Sequence, residues 1–553
     1  MSGSRTLATV VLLCLLATAG AVATGSDVPT DDVDSPPNGT GSDDPELVAV
    51  LPNPVADGDA GEYAVASLPE PTPLDGWSVG DDDGTAALPN VTVSGRVAFT
   101  GQPAALPPGV NESVARVVAV EDFPRLANGG ERVALARNGS RVDTLAYEDA
   151  PAAERWTGDS WVPRGATDFE PARGGPGQVR AFVTPDTAVP LDAIATADDR
   201  VLLAGYTFTS DRVTDALLAA AERGVTVRVM VDDAPVGGLS AREVAALDRL
   251  RAGGVSVRLL GGEAARYDFH HAKYLVADDR ALVLTENWKP SGTGGHANRG
   301  WGVVLNGSEP VGTLNRTFHA DWTAHDAAPW LDRREAVDPV LREPATSSYP
   351  SRIESSTVPV ESTTVIVAPD NAEASLVSLV SGAESSVRVE QMSVGGVDTP
   401  LVQAALAAAR NGTRVRFLLS SAWYAEEENG RVVDRLNAIA EREGLDLKAR
   451  LVDPGGRFEK LHAKGVVVDE RHVVLGSVNW NTNSLRENRE VAVVLTGGEV
   501  GRYYADAFDA DWCGGSGDRR PRLLWVAAIA AAAVAVLVCW RRVQFEYEGE
   551  LRG

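Results

Sequence analysis

This chain of 553 residues is poor in lysine, cysteine and positive charge. Lysine supplies only five of its 51 basic residues, and 77 acidic residues bring the formal charge to -26. A hydrophobic content of 44% nevertheless excludes a disordered acidic chain. An acidic, lysine-poor globular protein is typical of a halophilic one, and at about 1 M salt the Debye length is roughly 3 Å. The net charge therefore does not exclude nucleic acid or acidic lipid as a partner.

The shortage of cysteine excludes a fold built on disulfides. Two of the three cysteines, Cys14 and Cys539, lie in apolar segments near the ends of the chain, so that Cys513 is alone in the remainder. We expect no disulfide within that part. The length of the chain is sufficient for three or four domains.

Apolar segments near both ends predict an exported, membrane-anchored protein. Residues 1–23 combine Arg5, an apolar run and a small-residue cleavage site, as in a secretory signal peptide, and residues 24–45 form a polar, disordered spacer. Residues 523–540 carry no charge and are long enough for one transmembrane helix, followed by a cytoplasmic tail, 541–553. We expect a single-pass protein of the cell membrane with an extracellular ectodomain. Seven Asn-x-Ser/Thr sequons are consistent with an extracellular glycoprotein.

Residues 46–165 carry short apolar runs separated by Gly, Pro, Asn and Asp, as in residues 47–51 and 132–135. This pattern predicts an all-β, immunoglobulin-like sandwich. The segments 53–54, 74–77 and 126–131 make the region resemble a lamin-tail domain. It contains no catalytic constellation. We expect it to bind an unknown surface partner, with a structural spacer as the alternative.

From residue 175 onward, strands and helices alternate in two similar units. Residues 175–331 and 363–515 each predict an open α/β lobe whose sheet is covered by helices, and the Pro/Ser/Glu-rich linker 332–362 joins them. In the second unit, Thr399-Pro400 is a favourable start for a helix. The duplication is supported by matched segments: Asn298-Arg299 with Asn488-Arg489, and Phe318 to Trp322 with Phe508 to Trp512.

The most informative stretch reads H-x-K-x4-D-x6-G-S-x-N over residues 462–479, and residues 271–287 nearly repeat it. Two of only five lysines and two of seven histidines fall in the matching His-x-Lys pairs. On a strand, residues two apart share a face, so two lobes packed with pseudo-two-fold symmetry would present both histidines to one phosphate. The candidate site residues are His271, Lys273, Asp278, Asn287, His462, Lys464, Asp469, Ser477, Asn479 and Glu490.

The doubled motif resembles the HKD signature of the phospholipase D superfamily. The resemblance implies hydrolysis or transfer of a phosphodiester through a phosphohistidine, with His271 as the nucleophile and His462 as the acid and base. The paired lysines and asparagines would stabilise the charge on the phosphate oxygens, and we expect no cofactor and no metal. Asp278 and Asp469 are expected in turns that support the site.

Lobe one departs from the family pattern at two positions. Its loop, Thr285-Glu286, is one residue shorter than that of lobe two, and Gly300 stands where lobe two has Glu490. Glu490 resembles the acid that orients a histidine in the family, and an imidazole without such a partner loses control of its tautomer. We hypothesise that Glu286 takes the orienting role in lobe one.

These observations predict a membrane-anchored extracellular phosphodiesterase. The anchor favours phospholipid slightly as the substrate, and a surface nuclease acting on extracellular DNA is the alternative. A third reading is a catalytically degenerate surface protein, whose β-sandwich does the binding. An apolar rim around the site would favour lipid, and an arginine rim would favour DNA.

Overall fold

The computed structural model describes residues 44–514, apart from gaps at 55–60, 107–109, 111–113, 153, 164, 168, 187, 263–264 and 343–345. The predicted signal peptide, transmembrane helix, cytoplasmic tail and most of the predicted spacer lie outside the described residues. Among the residues that are described, no helix is both long and apolar enough to cross a bilayer.

The first region is a β-sandwich of two sheets around one hydrophobic core, which includes Trp77 and Phe99. Alternation produces this core: in the strand Gly130–Arg137 the fully buried side chains are Val133 and Leu135. The all-β prediction for the region is therefore confirmed. Its strands are β1 (Glu46–Leu51), β2 (Tyr63–Pro73), β3 (Trp77–Gly80), β4 (Thr85–Ala87), β5 (Thr92–Thr100), β6 (Arg116–Ala119), β7 (Gly130–Arg137), β8 (Ser140–Glu148), β9 (Glu154–Trp156) and β10 (Trp161–Pro163). The sheet orders are β10-β9-β1-β2-β5-β6 and β4-β3-β7-β8.

Lobe one is an α/β unit with a nine-stranded mixed sheet. The short strand β11 (Ala172–Gly174) precedes this lobe and belongs to the sheet of lobe two. The elements of lobe one are β12 (Gly177–Thr184), α1 (Ala188–Ala195), β13 (Arg200–Gly205), α2 (Asp211–Glu222), β14 (Thr226–Asp232), α3 (Ala241–Ala252), β15 (Ser256–Leu260), β16 (Tyr274–Ala277), β17 (Arg280–Leu284), β18 (Gly300–Asn306), α4 (Ser308–Thr323), β19 (Ala327–Pro329), α5 (Trp330–Arg333) and β20 (Ser356–Val360). The sheet order is β19-β15-β14-β13-β16-β17-β18-β12-β20, with β13, β14 and β15 parallel.

Lobe two repeats this arrangement in an eight-stranded sheet of order β11-β21-β27-β26-β25-β22-β23-β24. Its elements are β21 (Ser362–Ala368), α6 (Ala372–Ser381), β22 (Ser386–Gln391), α7 (Pro400–Arg410), β23 (Arg414–Leu419), α8 (Glu426–Glu443), β24 (Leu447–Leu451), β25 (Lys464–Val468), β26 (His472–Gly476), a π-helical turn (Asn483–Glu487), β27 (Glu490–Thr496) and α9 (Gly498–Trp512). The predicted duplication is thus a duplication of structure from β12 to α4 and from β21 to α9, whereas β19 and α5 occur in lobe one alone.

The two lobes together form five layers: α1 to α3, the sheet of lobe one, α4 with α9, the sheet of lobe two, and α6 to α8. The alternation of apolar side chains along the strands lets each sheet pack on both faces. In β13, Val201 and Leu203 face an outer core with α1 to α3, whereas Leu202 and Ala204 face a central core. Residues of both sheets, α4 and α9 share this central core, and α6 to α8 cover the outer face of lobe two. Strands buried on both faces explain the continuous apolar runs in the sequence.

Two boundaries differ from the sequence prediction. Residues 356–360, assigned to the linker, form β20 and pair with β12 in lobe one, whereas β11, which precedes lobe one, pairs with β21 in lobe two. The strand expected from His462 begins only at Lys464. Pro400 does begin α7, but the Thr399 hydroxyl donates to the carbonyl of Gly396 and makes no capping bond.

Two buried ion pairs cross between the lobes, and they use equivalent residues. Arg299 of lobe one lies 2.7 Å from Asp511 of lobe two, and Arg489 of lobe two lies 3.0 Å from Asp321 of lobe one. All four side chains are at most 3% exposed. Charges removed so completely from water are tolerated only when they are paired. The two pairs therefore fix how one lobe sits on the other.

Asp511→Asn is expected to lower the free energy of unfolding by about 3–5 kcal/mol, because Asp511 is the carboxylate that pairs with both Arg299 and Arg457. Urea denaturation followed by circular dichroism measures the change. The control is Glu427→Gln, which removes an exposed pair with Arg431 and should cost less than about 0.5 kcal/mol. Equal losses in the two variants would contradict the role given to the buried pairs.

Candidate active site

Both motif histidines lie at the junction of the lobes. Each occupies an extended segment just before a hairpin strand, His271 before β16 and His462 before β25. The backbone N–H of His271 donates to the carbonyl of Arg489 at 3.0 Å, and that of His462 donates to the carbonyl of Arg299 at 2.8 Å. Each histidine is therefore held by the backbone of the opposite lobe, next to the arginine of a buried ion pair.

Each imidazole contacts a carboxylate of the opposite lobe. The Nδ1 atom of His271 lies 2.8 and 2.9 Å from the two carboxylate oxygens of Glu490. The Nδ1 atom of His462 lies 3.3 Å from Oε1 of Glu286. Our expectation that Glu286 orients a histidine of lobe one was therefore wrong about the partner, because the loops that carry the two carboxylates reach across the lobe junction.

The two carboxylates reach equivalent places from different backbone positions. In lobe two the acid is the first residue of β27, and its counterpart at the start of β18 is Gly300. A Cβ atom at Gly300 would lie 2.5 Å from Cγ and 2.6 Å from Oε1 of Glu286. Equivalent amides also hold the two acids: Asn298 donates to Glu286 at 3.0 Å, and Asn488 donates to Glu490 at 3.1 Å. The glycine leaves the space that the carboxylate of Glu286 occupies.

The two motif lysines are buried beside the imidazoles. The ammonium of Lys273 donates to the carbonyl of His271, and that of Lys464 donates to the carbonyl of His462 at 2.9 Å. Burial lowers the pKa of Lys464 to about 8, although Glu286 and Glu490 oppose the shift. Burial also lowers the pKa of Lys273, with Glu490 opposing. The two ammonium groups therefore concentrate positive charge in the site. Lys464 loses its proton, and with it its charge, in mildly alkaline solution.

Burial also keeps both imidazoles neutral near pH 7. It lowers the pKa of His271 to about 4 and that of His462 to about 3, against the opposing charges of Glu490 and Glu286. Burial raises the pKa of each carboxyl group, but the facing histidine and the lysines outweigh it, so both glutamates stay ionised. A neutral imidazole whose Nδ1 proton is held by a carboxylate has its lone pair on Nε2. That is the form required of a nucleophile.

Asn287 and Asn479 complete the two copies of the motif. Within the described residues, the side-chain oxygens of both amides are buried without a hydrogen-bond partner, so a polar ligand could engage these amides. The hydrogen bond of Ser477 with Glu490 helps to lower the pKa of that carboxyl group. The hydroxyl of Ser477 accepts from the N–H of Val491 at 3.0 Å and so fixes the loop to β27. Thr285 does the same with Trp301 in lobe one.

Asp278 and Asp469, although part of the motif, are not in the site. They lie at the far end of the β16–β17 and β25–β26 hairpins, seven residues beyond the histidines. Backbone N–H groups of residues 198–200 donate to Asp278 at 2.8–3.0 Å, and those of residues 384–386 donate to Asp469 at 2.7–3.0 Å. The expectation that both lie in turns is confirmed, whereas their inclusion among the catalytic candidates is wrong: as carboxylates that accept from backbone N–H groups, they anchor the hairpins.

Three residues near the site were missed in the sequence. The ring of Tyr206 lies 4.7 Å from that of His271, and the ammonium of Lys273 lies 5.3 Å from the Tyr206 ring. Lys289 and Lys460 come close enough for their charges to lower the pKa of Lys273 and Lys464, respectively. The scarcity of lysine could have pointed to Lys289 and Lys460, because four of the five lysines of the chain lie at this site.

No group of three or more His, Cys, Asp or Glu side chains suited to a metal ion occurs in the part of the chain that the structure describes. The groups that converge on the site are instead two imidazoles, two carboxylates, two buried ammonium groups and two amides. Such a set can bind an anion, supply a nucleophile and move a proton.

Comparison with known proteins places this site in a family. The family model described as "Cardiolipin synthase, PLD-like domain" matches residues 191–322 and 376–512. Human mitochondrial cardiolipin hydrolase is 33% identical over 60 residues, which are 11% of this chain and 22% of that protein. The match therefore spans about a fifth of the length of that curated relative.

Solved structures to which the chain is similar include a phosphatidylserine synthase and a phospholipase D family member. Phosphatidylserine synthase of Haemophilus influenzae shares 14% identity over 61% of this chain and 86% of its own, with a TM-score of 0.47. The phospholipase D family member Nuc of Salmonella typhimurium shares 20% identity over 28% of this chain and 97% of its own, with a TM-score of 0.25. The two segments matched by the family model carry both histidine–lysine pairs, both asparagine loops and both glutamates. The two lobes of this chain therefore belong to the phospholipase D superfamily.

Proposed function

We propose that the chain cleaves a phosphodiester in two successive displacements at the lobe junction, through a phosphohistidine on His271. The observation that carries the proposal is the crossed pairing of each motif histidine with a buried glutamate of the other lobe, beside two buried lysines. This arrangement supplies an oriented nucleophile, an oriented proton carrier and a cationic cradle. Transfer to an alcohol other than water would use the same groups.

In the first displacement, Nε2 of His271 attacks phosphorus while Glu490 holds the Nδ1 proton. The bond to the leaving oxygen breaks, and His462 supplies the proton that this oxygen takes up. The negative charge of a bound diester favours the protonated form of His462, which burial otherwise opposes. In the second displacement, water or an alcohol gives its proton to His462 and attacks phosphorus, and the bond to His271 breaks.

The lysines and asparagines act on the phosphate oxygens. The ammonium groups of Lys273 and Lys464 would stabilise the charge that these oxygens carry in each transition state. Buried charges act strongly because little water screens them. The side-chain N–H groups of Asn287 and Asn479 would complete the cradle by donating to the phosphate oxygens.

The roles of the two histidines follow from how firmly each is held. Glu490 contacts His271 with both oxygens at 2.8–2.9 Å, and the ring of Tyr206 packs against the same imidazole. His462 has the longer contact with its carboxylate, 3.3 Å. A nucleophile gains from a fixed ring, whereas a proton carrier must serve both a leaving and an entering oxygen. This supports His271 as the nucleophile and His462 as the acid and base.

For the substrate we favour a phospholipid, met at the membrane to which the predicted helix 523–540 would tether the chain. The human relative, which matches this chain over 60 residues, is by name a cardiolipin hydrolase, and this likeness supports a lipid substrate. A surface nuclease acting on DNA is the second candidate, since the diester is the same. A degenerate binding protein is less well supported, because Glu286 supplies the carboxylate that Gly300 lacks.

His271→Ala and His462→Ala are each expected to lower turnover of bis-p-nitrophenyl phosphate at least about 10³-fold, since each removes an essential group. The assay uses the purified chain in multimolar KCl with EDTA. The two variants separate the roles: p-nitrophenol needs no acid to leave, so His462→Ala should release one equivalent in a burst and His271→Ala none. The opposite pattern would reverse the roles. His319→Ala, in α4, is the control and should match the wild type.

Glu286→Val is expected to lower kcat about 10²-fold, because His462 loses the acceptor for its Nδ1 proton. Adding Gly300→Glu to this variant copies the arrangement of lobe two, where valine and glutamate stand at the equivalent positions. We expect the double variant to recover most of the lost kcat. Equal Tm values of the three proteins would exclude a folding effect, and a double variant no better than the single one would contradict the transposed carboxylate.

The pH dependence of kcat/KM is expected to be bell-shaped. Above about pH 8, Lys464 loses its proton and with it the positive charge on the cradle, so the rate should fall. Below about pH 4, His271 gains a proton and loses the lone pair that attacks phosphorus. A rate profile with p-nitrophenyl diesters, measured from about pH 3 to about pH 10, tests both limbs. A flat profile through pH 8 would exclude a titrating Lys464.

A further inference from the structure

Exposed hydrophobic side chains are concentrated at the mouth of the site. Among the described residues, six large hydrophobic side chains are exposed, and four of them come from segments beside the two histidines. These four, which we name the apolar rim, are Val236, Leu341, Trp423 and Tyr424, with exposures of 70%, 91%, 88% and 42%. The other two, Val142 and Leu331, lie in β8 and α5.

On lobe one, the rim is tied to the surroundings of His271. The backbone N–H of Val236 donates to the hydroxyl of Tyr206 at 2.6 Å, and the Tyr206 ring lies 4.7 Å from that of His271. Leu341 is next to Arg342, whose guanidinium donates to the carbonyl of Val236 at 3.0 Å. The side chain of Arg342 therefore joins the segment of Leu341 to the segment of Val236.

On lobe two, the rim is tied to the surroundings of His462. The rings of Trp423 and Tyr424 contact each other edge to face at 5.5 Å. The ammonium of Lys460 lies 5.1 Å from the Tyr424 ring, and Lys460 is two residues before His462. The loop of this pair follows β23, and the loop of Val236 follows β14, its counterpart in lobe one. The duplicated fold thus presents apolar side chains on both sides of one site.

We propose that the apolar rim docks the chain onto a phospholipid bilayer, so that the site opens at the level of the headgroups. The proposal rests on the proposed function and names the surface at which that function operates. Aliphatic side chains gain from entering hydrocarbon, and tryptophan and tyrosine favour the bilayer interface. Lys289, Lys460 and Arg342 lie near the rim and match the negative charge of the lipid phosphates.

A nucleic acid strand explains the rim less well. Trp423 and Tyr424 could stack on bases, but Val236 and Leu341 have no flat π-surface to offer them. Apolar insertion does not depend on charge, so docking should persist at 1 M salt, where the Debye length is about 3 Å.

The first test compares one lipid and one soluble substrate. The variant Val236→Ser/Leu341→Ser/Trp423→Ser, in the full chain, should lose at least about tenfold in hydrolysis of phosphatidylglycerol in vesicles. Its hydrolysis of bis-p-nitrophenyl phosphate should stay near the wild-type rate, because the imidazoles, carboxylates and lysines are unchanged. The control Val142→Ser/Leu331→Ser removes exposed hydrophobic side chains elsewhere and should keep both activities. Unchanged vesicle activity of the triple variant would overturn the proposal.

The second test reads docking without catalysis. Vesicles of phosphatidylcholine and phosphatidylglycerol that contain brominated lipid should quench tryptophan fluorescence, and part of this quenching should disappear in Trp423→Phe, in 1 M KCl as at low salt. Trp423-dependent quenching by an inactive chain would support docking and refute the catalytic proposal alone. Docking would be overturned if no such quenching occurred. It would also be overturned if the triple variant lost activity on single-stranded DNA and kept its activity on vesicles.

Discussion

The buried arginine–aspartate pairs between the lobes are the constraint on which the site depends. Arg299 and Arg489 hold Asp511 and Asp321 with their side chains, and their backbone carbonyls receive the N–H groups of the two histidines. The same residue thus fixes the lobe junction and places a motif imidazole. Because an unpaired charge in this interior is so unfavourable, the lobes have one relative position in which all four groups are satisfied. The geometry of the candidate site follows from these ion pairs.

The two halves supply equivalent carboxylates from different backbone positions. Lobe two takes its carboxylate from the start of a strand, and lobe one takes it from the preceding loop, with a glycine where the strand acid would stand. What is preserved is the location of a negative charge beside an imidazole, with an asparagine amide to hold it. A duplicated site can therefore exchange residues as long as the charge and its volume are preserved.

The sequence was sufficient for the fold class, the duplication and the histidine–lysine pairs, because periodicity and motif spacing are local properties of the chain. It was insufficient for partners across the junction: Glu286 was recognised as an orienting acid, but its imidazole belongs to the other lobe. Asp278 and Asp469 share the motif spacing, yet a hairpin carries them to its far end, where they have positive φ and bind the backbone of a neighbouring segment. Spacing along the chain does not reveal whether a motif residue lies at the same end of the hairpin as the histidine.

The exchange of edge strands has a consequence for synthesis of the chain. β11 leaves the ribosome before any of lobe one, yet its partner β21 belongs to lobe two, while lobe one closes its own sheet only when β20 has appeared. Neither sheet is complete until the chain has passed the middle of the protein. Assembly from such distant segments is slow compared with local folding. The sheet of lobe one can therefore be complete once β20 has been made, whereas the sheet of lobe two, which includes β11, waits for its last strand, β27.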